Sequence, residues 1–275
     1  MSFRNLILAK VKRAEGLGAT ATRVLEVTNK PDIEFSELID VVQYDPGLTS
    51  EVLRLANSAG SGRVQEIVSL RDAVVRLGMT QVKQLIVMAA VAPRTGGEVK
   101  GYDLPAGQLL EHSIAVALSA DYLAREVGVC VGDAVFTSGL LHDIGKVVLG
   151  TFVEIDAAPF LELAYREQMS FEAAERQVLG IDHAEVGARL LEDWGLARGM
   201  VAAARWHHEP EAYEGDERAI VDLVHVADNL TLMAGIGVGM DGLNYEPACD
   251  VMERPGLKAL AMEAARVIAA ASTAS

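Results

Sequence analysis

The chain has 275 residues, of which 51% are hydrophobic, and it carries a formal net charge of −15 at pH 7. A chain of this length and apolar content can bury one large core or two smaller ones, so we predict a globular protein. The negative charge repels polyanions, and the basic residues of the first half are spaced as on solvated helix faces, which argues against a nucleic-acid partner; they are Arg4, Lys10, Lys12, Arg13, Arg23 and Lys30.

The chain shows no signal for a membrane span or for secretion. Its longest uninterrupted apolar run, Leu85–Ala92, is shorter than the roughly 20 residues that a spanning helix requires. Lysines return after a few apolar residues at the N-terminus, which is too short for a signal-peptide core. Cys130 and Cys249 lie far apart and predict buried free thiols rather than a disulfide. We therefore expect a reduced, cytoplasmic protein with no membrane partner.

Helical periodicity dominates the sequence, whereas alternating β-branched runs bounded by hairpin turns are absent. The pattern predicts an all-α fold. Asp45 is predicted to cap a helix that begins at Pro46. Ser69, with an acidic residue three positions later, is predicted to cap a helix that Gly78 closes.

A further helix is predicted to begin with Thr80 as its cap and to stop at Pro93. The segment 93–107 is rich in glycine, proline and charge, which predicts a connection between two helical lobes. We place the boundary near Gly101, with an N-terminal lobe of residues 1–100 and a C-terminal lobe of residues 101–275. The alanine-rich C-terminus predicts a final helix that frays.

All six histidines follow this boundary, so we expect any chemistry to lie in the C-terminal lobe. His112 lies on an apolar helical stripe and, taken alone, favours a core histidine bonded to a carbonyl. Asp228 also lies on an apolar stripe, where a carboxylate costs several kcal/mol unless a cation, an N–H group or an arginine pairs with it. His225 lies on nearly the same face and is interpreted as a packing residue or a supporting group.

His142 and Asp143 follow a predicted buried helix, Phe136–Leu141, which Gly145 is expected to end. An imidazole nitrogen and a carboxylate oxygen are suitable ligands for zinc, iron or manganese, and two consecutive residues at a turn can reach one ion. Lys146 could contact a phosphate oxygen or simply neutralise the local carboxylates.

His183 opens another predicted helix after Gly180, and His207 and His208 lie at a helix end before Pro210. Each of these histidines could be a packing residue or part of a solvated helix end. Taken together, however, so many histidines at helix ends and on inward stripes predict one shared metal centre in this half of the chain.

The order of His112, His142-Asp143 and Asp228 resembles the HD superfamily of metal-dependent phosphohydrolases. His183 and His207-His208 are similar to the additional ligands that HD-GYP cyclic-dinucleotide phosphodiesterases use for a second metal. Residues 15–235 as a whole resemble the HDOD family, the HD-related output domain of bacterial signalling proteins. The segments that carry this resemblance are YDPGLTSEVLRLANSAG, SLRDAVVRLGMTQVKQL, EHSIAVA, SGLLHDIGK, IDHAEVGARLLEDWGL and WHHEP.

The resemblance implies an all-helical fold with two lobes, which serves as a regulatory or interaction module in bacteria. It also implies a set of metal ligands, namely His112, His142, Asp143, His183, His207, His208 and Asp228. The sequence departs from the phosphodiesterases because no Gly-Tyr-Pro signature follows WHHEP. In addition, Gln108 stands one helical turn before His112, where some of those enzymes have a glutamate.

Two functional hypotheses follow. The first is a signal-transduction module that holds divalent iron, manganese or zinc and receives its signal from a protein partner or a nucleotide ligand. The alternative is an active metal-dependent phosphohydrolase acting on a nucleotide or cyclic dinucleotide, with Lys146 as a catalytic residue that steadies charge on the phosphoryl oxygens. The sequence lacks a glycine-rich phosphate cradle, and it cannot place Arg189 or Arg205 near the site, so we favour the first hypothesis.

Overall fold

The structure, a computed structural model, describes residues 2–14, 16–28, 30, 34–59, 66–129 and 131–242. These residues form helices and no named strand, which confirms the predicted all-α class. The two cysteines and the predicted C-terminal helix lie outside the described residues. The helices are α1 Phe3–Val11, α2 Ala19–Thr28, α3 Phe35–Val42, α4 Pro46–Ala59, α5 Leu70–Leu77, α6 Met79–Thr95, α7 Gln108–Val127, α8 Ala134–Leu141, α9 Gly145–Val153, α10 Ala158–Arg166, α11 Phe171–Leu179, α12 His183–Asp193, α13 Arg198–Trp206 and α14 Arg218–Met233, with short 3-10 helices at Lys100–Tyr102, Pro210–Ala212 and Met240–Gly242.

The helices group into two compact units. One unit lies within Glu15–Arg94, and the other combines Met1–Ala14 with Thr95–Ser275. The first helix of the chain therefore belongs with the larger, mainly C-terminal unit. None of the described helices has both the length and the apolar character needed to cross a bilayer.

The smaller unit confirms two of the predicted caps. α4 begins at Pro46, and the Leu48 amide donates a hydrogen bond to Asp45 Oδ1 at 3.0 Å. Ser69 caps α5 by accepting a 3.0 Å hydrogen bond from the Asp72 amide. These side chains satisfy amide groups that the first helical turn leaves without a partner.

The predicted bounds of α6 are wrong at both ends. The helix begins at Met79, directly after Gly78, so Thr80 lies inside it rather than at its cap. It also continues through Pro93 to Thr95. A proline removes one backbone hydrogen bond, and so close to a helix end few bonds remain to be lost beyond it.

Contacts between helices hold the larger unit together. α7 packs against α8 and α14, and α12 packs against α9 and α13. α1 contacts α9 and α12, where Arg4 forms a bidentate ion pair with Glu185, at 2.6 and 3.1 Å, and donates a 2.7 Å hydrogen bond to the Gly180 carbonyl. Residues 95–107 of the segment predicted as a connection belong to this unit, and Val99 and Leu104 form an isolated bridge around the buried Tyr102.

The turn after α8 differs from the prediction in one respect. α8 ends at Leu141, in agreement with the sequence, but Gly145 begins α9 instead of ending α8. A Cβ atom at Gly145 would lie 1.9 Å from the carbonyl oxygen of His183 and 2.6 Å from the amide nitrogen of Gly187. Glycine is therefore required because the backbones of α9 and α12 approach each other closely at this point.

This contact predicts that Gly145→Ala will destabilise the larger unit by about 3 kcal/mol, at the upper end of the range for overpacking, since both clashing partners are backbone atoms. Gly97→Ala is the control, because no atom lies within 4 Å of its added Cβ, and it should change stability by less than about 0.5 kcal/mol. The measurement is urea unfolding of both variants. Equal midpoints would contradict a close approach of the two helices.

Candidate metal centre

The structure brings the seven predicted ligands together in the larger unit. His112, His142 and Asp228 form one group, and Asp143, His183, His207 and His208 form a second. Within each group, one candidate ligand atom from every residue lies within 4.8 Å of all the others. Each group could hold a metal ion, although no single stretch of the sequence contains either of them.

The packing of three helices positions the first group. His112 projects from the second turn of α7 towards Asp228 on α14, and its Nε2 atom lies 3.0 Å from Asp228 Oδ1. His142 follows the last residue of α8, and its Nε2 lies 3.7 Å from the same carboxylate oxygen. The inward orientation predicted for His112 and Asp228 is confirmed, since both are buried.

Asp143 belongs to the second group and also faces the first. Its Oδ2 atom is 3.3 Å from His142 Nε2 and 3.6 Å from His112 Nε2. Its Oδ1 atom is 3.5 Å from His183 Nε2 and 3.6 Å from His207 Nε2. The two oxygens of a single carboxylate therefore face different sets of imidazoles, an arrangement that suits a carboxylate shared by two neighbouring ions.

Hydrogen bonds at the far side of four rings fix their protonation. Each Nδ1 atom contacts an oxygen that can only accept a hydrogen bond, so Nδ1 must carry the proton, and a neutral ring then keeps a lone pair on Nε2. The contacts are His112 with the Ile236 carbonyl at 3.0 Å, His142 with the Gly139 carbonyl at 2.7 Å, His183 with Glu175 Oε2 at 2.8 Å and His207 with the Ala204 carbonyl at 2.9 Å.

These lone pairs converge on groups that are themselves hydrogen-bond acceptors. Nε2 of His112, His142 and His207, together with Asp143 Oδ1, is buried without a hydrogen-bond partner among the described residues. A buried acceptor that has no donor costs roughly 1–3 kcal/mol, and several of them facing one another add repulsion. A cation between them removes this cost, so the residues present fit a metal ion.

The charges around the two groups point the same way. Among the described residues of the centre and its immediate supports, four carboxylates are buried, those of Asp143, Glu175, Asp228 and Asp241, together with one ammonium, that of Lys146. With neutral imidazoles the net charge is −3. Buried charge of one sign is expensive unless cations compensate it.

The carboxylates also shift the pKa values of nearby histidines. Burial lowers the pKa of His142, but the charges of Asp143 and Asp228 outweigh burial and raise it to about 10. Burial likewise opposes the charged form of His183, whose pKa the Glu175 carboxylate raises to about 9. In the absence of a metal ion, both rings would therefore be protonated, and their positive charge would compensate the carboxylates in its place.

Lys146 contacts two carboxylates at the edge of the centre. It is buried, with its Nζ atom 2.5 Å from Asp143 Oδ2 and in an ion pair with Asp241. Burial disfavours its charge, yet both carboxylates together raise the pKa of Lys146 above its ordinary value. In the structure, Lys146 therefore neutralises local carboxylates, which is one of its two sequence-based interpretations.

Glu175 and Tyr102 are supporting residues that the sequence reasoning missed. Glu175 accepts hydrogen bonds from the amide and Nδ1 of His183, both at 2.8 Å, and from the Tyr102 hydroxyl. A carboxylate that orients a histidine in this way increases its basicity as a ligand. Glu175 shares a buried face of α11 with Phe171 and Leu179, so the signal that identified Asp228 was also present here.

His225 supports the second group from outside it. Its Nδ1 atom lies 2.5 Å from the His207 carbonyl, and Asn229 donates a hydrogen bond to the His225 carbonyl at 2.8 Å. His225 belongs to neither of the two groups. It therefore holds the turn that carries His207 rather than offering a nitrogen to the centre.

Arg189 and Arg205, which the sequence could not place, line a groove of 760 Å³ along the faces of α12 and α13. The Arg205 guanidinium lies over the Trp206 ring, 4.5 Å from its centroid. The lining of the groove includes none of the seven predicted ligands. These arginines therefore lie on the surface of α12 and α13 rather than in the buried centre.

Several basic residues of the first half are engaged with other side chains. Arg4 pairs with Glu185, Arg23 with Glu26 and Lys30 with Glu37. The latter two pairs are well exposed, which is typical of a solvated helix face.

Fold and site together define an all-helical protein with a buried histidine and aspartate centre that could hold metal. The sequence model of the HDOD domain matches residues 16–210, and the chain therefore belongs to the HDOD family. A curated relative, an uncharacterised protein of Treponema pallidum (strain Nichols), is 24% identical over 211 residues. These residues cover 74% of this chain and 40% of the relative, so the chain spans less than half of that protein.

Solved structures share the fold. An HDOD domain protein of unknown function from Geobacter sulfurreducens has 25% identity and a TM-score of 0.76, over 99% of this chain and 93% of its own. A "putative phosphohydrolase" from Shewanella amazonensis SB2B has 26% identity and a TM-score of 0.66, over 94% and 97%. A "putative signal transduction protein" from Marinobacter aquaeolei VT8 has 25% identity and a TM-score of 0.71, over 95% and 58%.

The contacts of Glu175 predict that Glu175→Gln will weaken binding of a divalent ion roughly 10- to 100-fold, because the neutral amide polarises the His183 ring less than the carboxylate does. Glu167→Gln removes the same charge from an exposed position at the end of α10 and should leave affinity unchanged. The measurement is competition of each protein with a chromogenic chelator. Similar affinities for both variants would refute this role for Glu175.

Proposed function

We propose that the chain is a bacterial signal-transduction module whose larger unit holds divalent metal in a site for one or two ions. Membership of the HDOD family supports a regulatory role, as does similarity to the Marinobacter protein. Iron, manganese and zinc are the metals that best match a donor set of imidazoles and carboxylates. The signal would come from a protein partner, with a nucleotide as a possible small ligand.

The observation that carries this proposal is the orientation of the imidazoles. Four Nδ1–H groups donate to oxygens. In three of these rings, His112, His142 and His207, the Nε2 lone pair faces a carboxylate and has no hydrogen-bond partner among the described residues. A cluster of histidines that served only packing would pair these nitrogens with donors, because buried acceptors without donors are costly.

His112, His142 and Asp228 would hold one ion, and His183, His207 and His208 would hold the other, with Asp143 shared between them. A divalent ion supplies charge compensation and, where a substrate can reach it, Lewis-acid activation of water and of a phosphoryl oxygen. The chain itself supplies orientation, because four of the five rings, those of His112, His142, His183 and His207, are fixed by a hydrogen bond at Nδ1.

Burial of the centre favours a regulatory site over an active hydrolase. The exposed fraction of six of the seven proposed ligands, His112, His142, Asp143, His183, His207 and Asp228, is 2% or less, and His208 is half-buried. A phosphoester would have to displace part of the protein to reach these residues. Metal bound to such a site stabilises the folded state, because its binding free energy adds to that of folding.

The alternative is a metal-dependent phosphohydrolase acting on a nucleotide or cyclic dinucleotide. Lys146 favours it, since its ammonium adjoins the proposed shared ligand Asp143 at 2.5 Å and could contact a phosphoryl oxygen. Similarity to the Shewanella protein gives it further support. The burial of the centre makes it the second candidate.

Elemental analysis of untagged protein should find stoichiometric iron, manganese or zinc. His142→Ala and Asp228→Ala should both lose it, because each removes a proposed ligand of the first group. Asp222→Asn is the matched control, since Asp222 lies on α14 but pairs with Arg218, and this variant should keep its metal. A metal-free wild type, even after reconstitution, would overturn the proposal.

A regulatory site also predicts that the metal-loaded protein will not hydrolyse nucleotides or cyclic dinucleotides at a rate above that of free metal. The assay is release of phosphate or of linear product, with Lys146→Met measured alongside. Turnover that requires both the metal and Lys146 would establish the phosphohydrolase instead.

A further inference from the structure

The segment 235–242 follows α14 and lies against the centre. The Ile236 carbonyl accepts the hydrogen bond from His112 Nδ1, and Asp241 pairs with Lys146. A Cβ atom at Gly237 would lie 2.6 Å from His112 Cβ, and one at Gly239 would lie 2.3 Å from the Tyr102 carbonyl oxygen. This segment therefore covers the side of the centre on which His112 and Lys146 lie.

The Asp241 carboxylate is incompletely satisfied. Asp241 is 9% exposed, and only its Oδ2 atom contacts Lys146. Its Oδ1 atom is buried and has no hydrogen-bond partner among the described residues. The ion pair with Lys146 holds Asp241 in place, but it leaves Oδ1 buried without a donor. A buried carboxylate oxygen without a donor is costly, so the ion pair and this cost oppose each other.

Lys146 is suited to a different anion. Its ammonium is a compact point charge with three donors, the type of group that binds phosphate oxygens in proteins. Its other partner, Asp143, lies within 3.6 Å of four imidazole nitrogens, so Lys146 adjoins both groups of candidate ligands. An anion bound to Lys146 would therefore lie beside the centre, where Asp241 lies now.

We propose that Asp241 is an internal competitor, which occupies the position beside Lys146 where a phosphate group would bind. A phosphate-bearing ligand then binds by displacing Asp241, and the segment 235–242 moves away from His112 as it does so. The inference rests on the proposed metal centre and adds to it the class of ligand and the way in which access is controlled.

Displacement of Asp241 explains how a buried centre can respond to a ligand. The apparent affinity of a site is reduced when the site is free in only a fraction of the molecules. An internal competitor that occupies the site therefore weakens phosphate binding. The phosphate also changes the contacts of the segment 235–242, which connects ligand binding to a surface that a protein partner could detect.

The test is calorimetric titration of manganese-loaded protein with inorganic phosphate. Asp241→Asn should bind phosphate about tenfold more tightly than the wild type, because the neutral amide competes weakly for the ammonium. Asp216→Asn removes one negative charge from an exposed turn and is the matched control for the change in net charge, so its affinity should equal that of the wild type. Lys146→Met combined with Asp241→Asn should abolish the gain.

Weaker or unchanged phosphate binding by Asp241→Asn would overturn the inference, as would the same gain in Asp216→Asn or a gain that survives loss of Lys146. Manganese content is measured on every sample before titration. A wild type that holds manganese but shows no gain in the variant refutes only the role of Asp241. A wild type that holds no metal refutes the proposed function itself.

Amide hydrogen exchange provides a second test that does not depend on affinity. Phosphate should accelerate exchange of residues 235–242 in the wild type and leave Lys146→Met unchanged. Gly237→Ala should accelerate it without phosphate, because the added Cβ clashes with His112. Gly235→Ala carries the same cost of a positive φ angle but has no atom within 4 Å of its Cβ, so a smaller effect is expected. Protection that stays constant or rises with phosphate would contradict the movement of this segment.

Discussion

The convergence of imidazole lone pairs on two buried carboxylates is the constraint on which the rest of the larger unit depends. His112 and His142 present their Nε2 atoms to Asp228 and Asp143. On the far side of each ring, Nδ1 donates its proton to a backbone carbonyl, so Nε2 can become a donor only if the ring takes up a second proton and becomes positively charged. Such an arrangement requires positive charge, which protons on His142 and His183 or a bound metal ion can supply. The described fold supplies candidate ligands, tautomers and negative charge, a combination that could hold metal.

Apolar packing brings these groups together. α7 and α14 share an apolar cluster that includes Val116 and Val224, and this packing places His112 against Asp228, while the α8–α9 turn delivers His142 and Asp143 together. Gly145 lets the backbone of α9 touch that of α12 at His183. The contacts between these helices therefore also position the candidate ligands, and loss of a helix contact would separate them.

A centre buried this deeply needs a way to communicate with its surroundings. Lys146 and Asp241 offer one, because an ion pair between a buried lysine and a residue of the segment 235–242 can be exchanged for a contact with a bound anion. Signalling requires an arrangement that a ligand can shift, and the shift can be no larger than the difference in its affinity for the two states. In the proposed displacement, the unsatisfied oxygen of Asp241 raises the free energy of the arrangement with the ion pair, so phosphate has a smaller free-energy difference to overcome.

The sequence by itself determined the helical class, several caps and the identities of the seven candidate ligands. Helical periodicity and the tendency of Ser69 and Asp45 to cap helices depend only on nearby residues, so they can be predicted before the fold is known. Polar residues on apolar stripes, such as His112 and Asp228, were equally visible. The limits of α6 and the role of Gly145 were not, because they depend on neighbours distant in the chain.

Only the tertiary structure decided how those ligands divide into two groups, that Asp143 of the second group also faces the first and that Asp241 holds Lys146. Asp143 and Asp241 are almost a hundred residues apart, and their shared contact with one ammonium follows from packing rather than from any local pattern. Hydrogen bonds from ring nitrogens to backbone carbonyls leave no trace in side-chain identity. Local physics fixes which residues can bind metal, whereas the distances between helices fix which of them bind together.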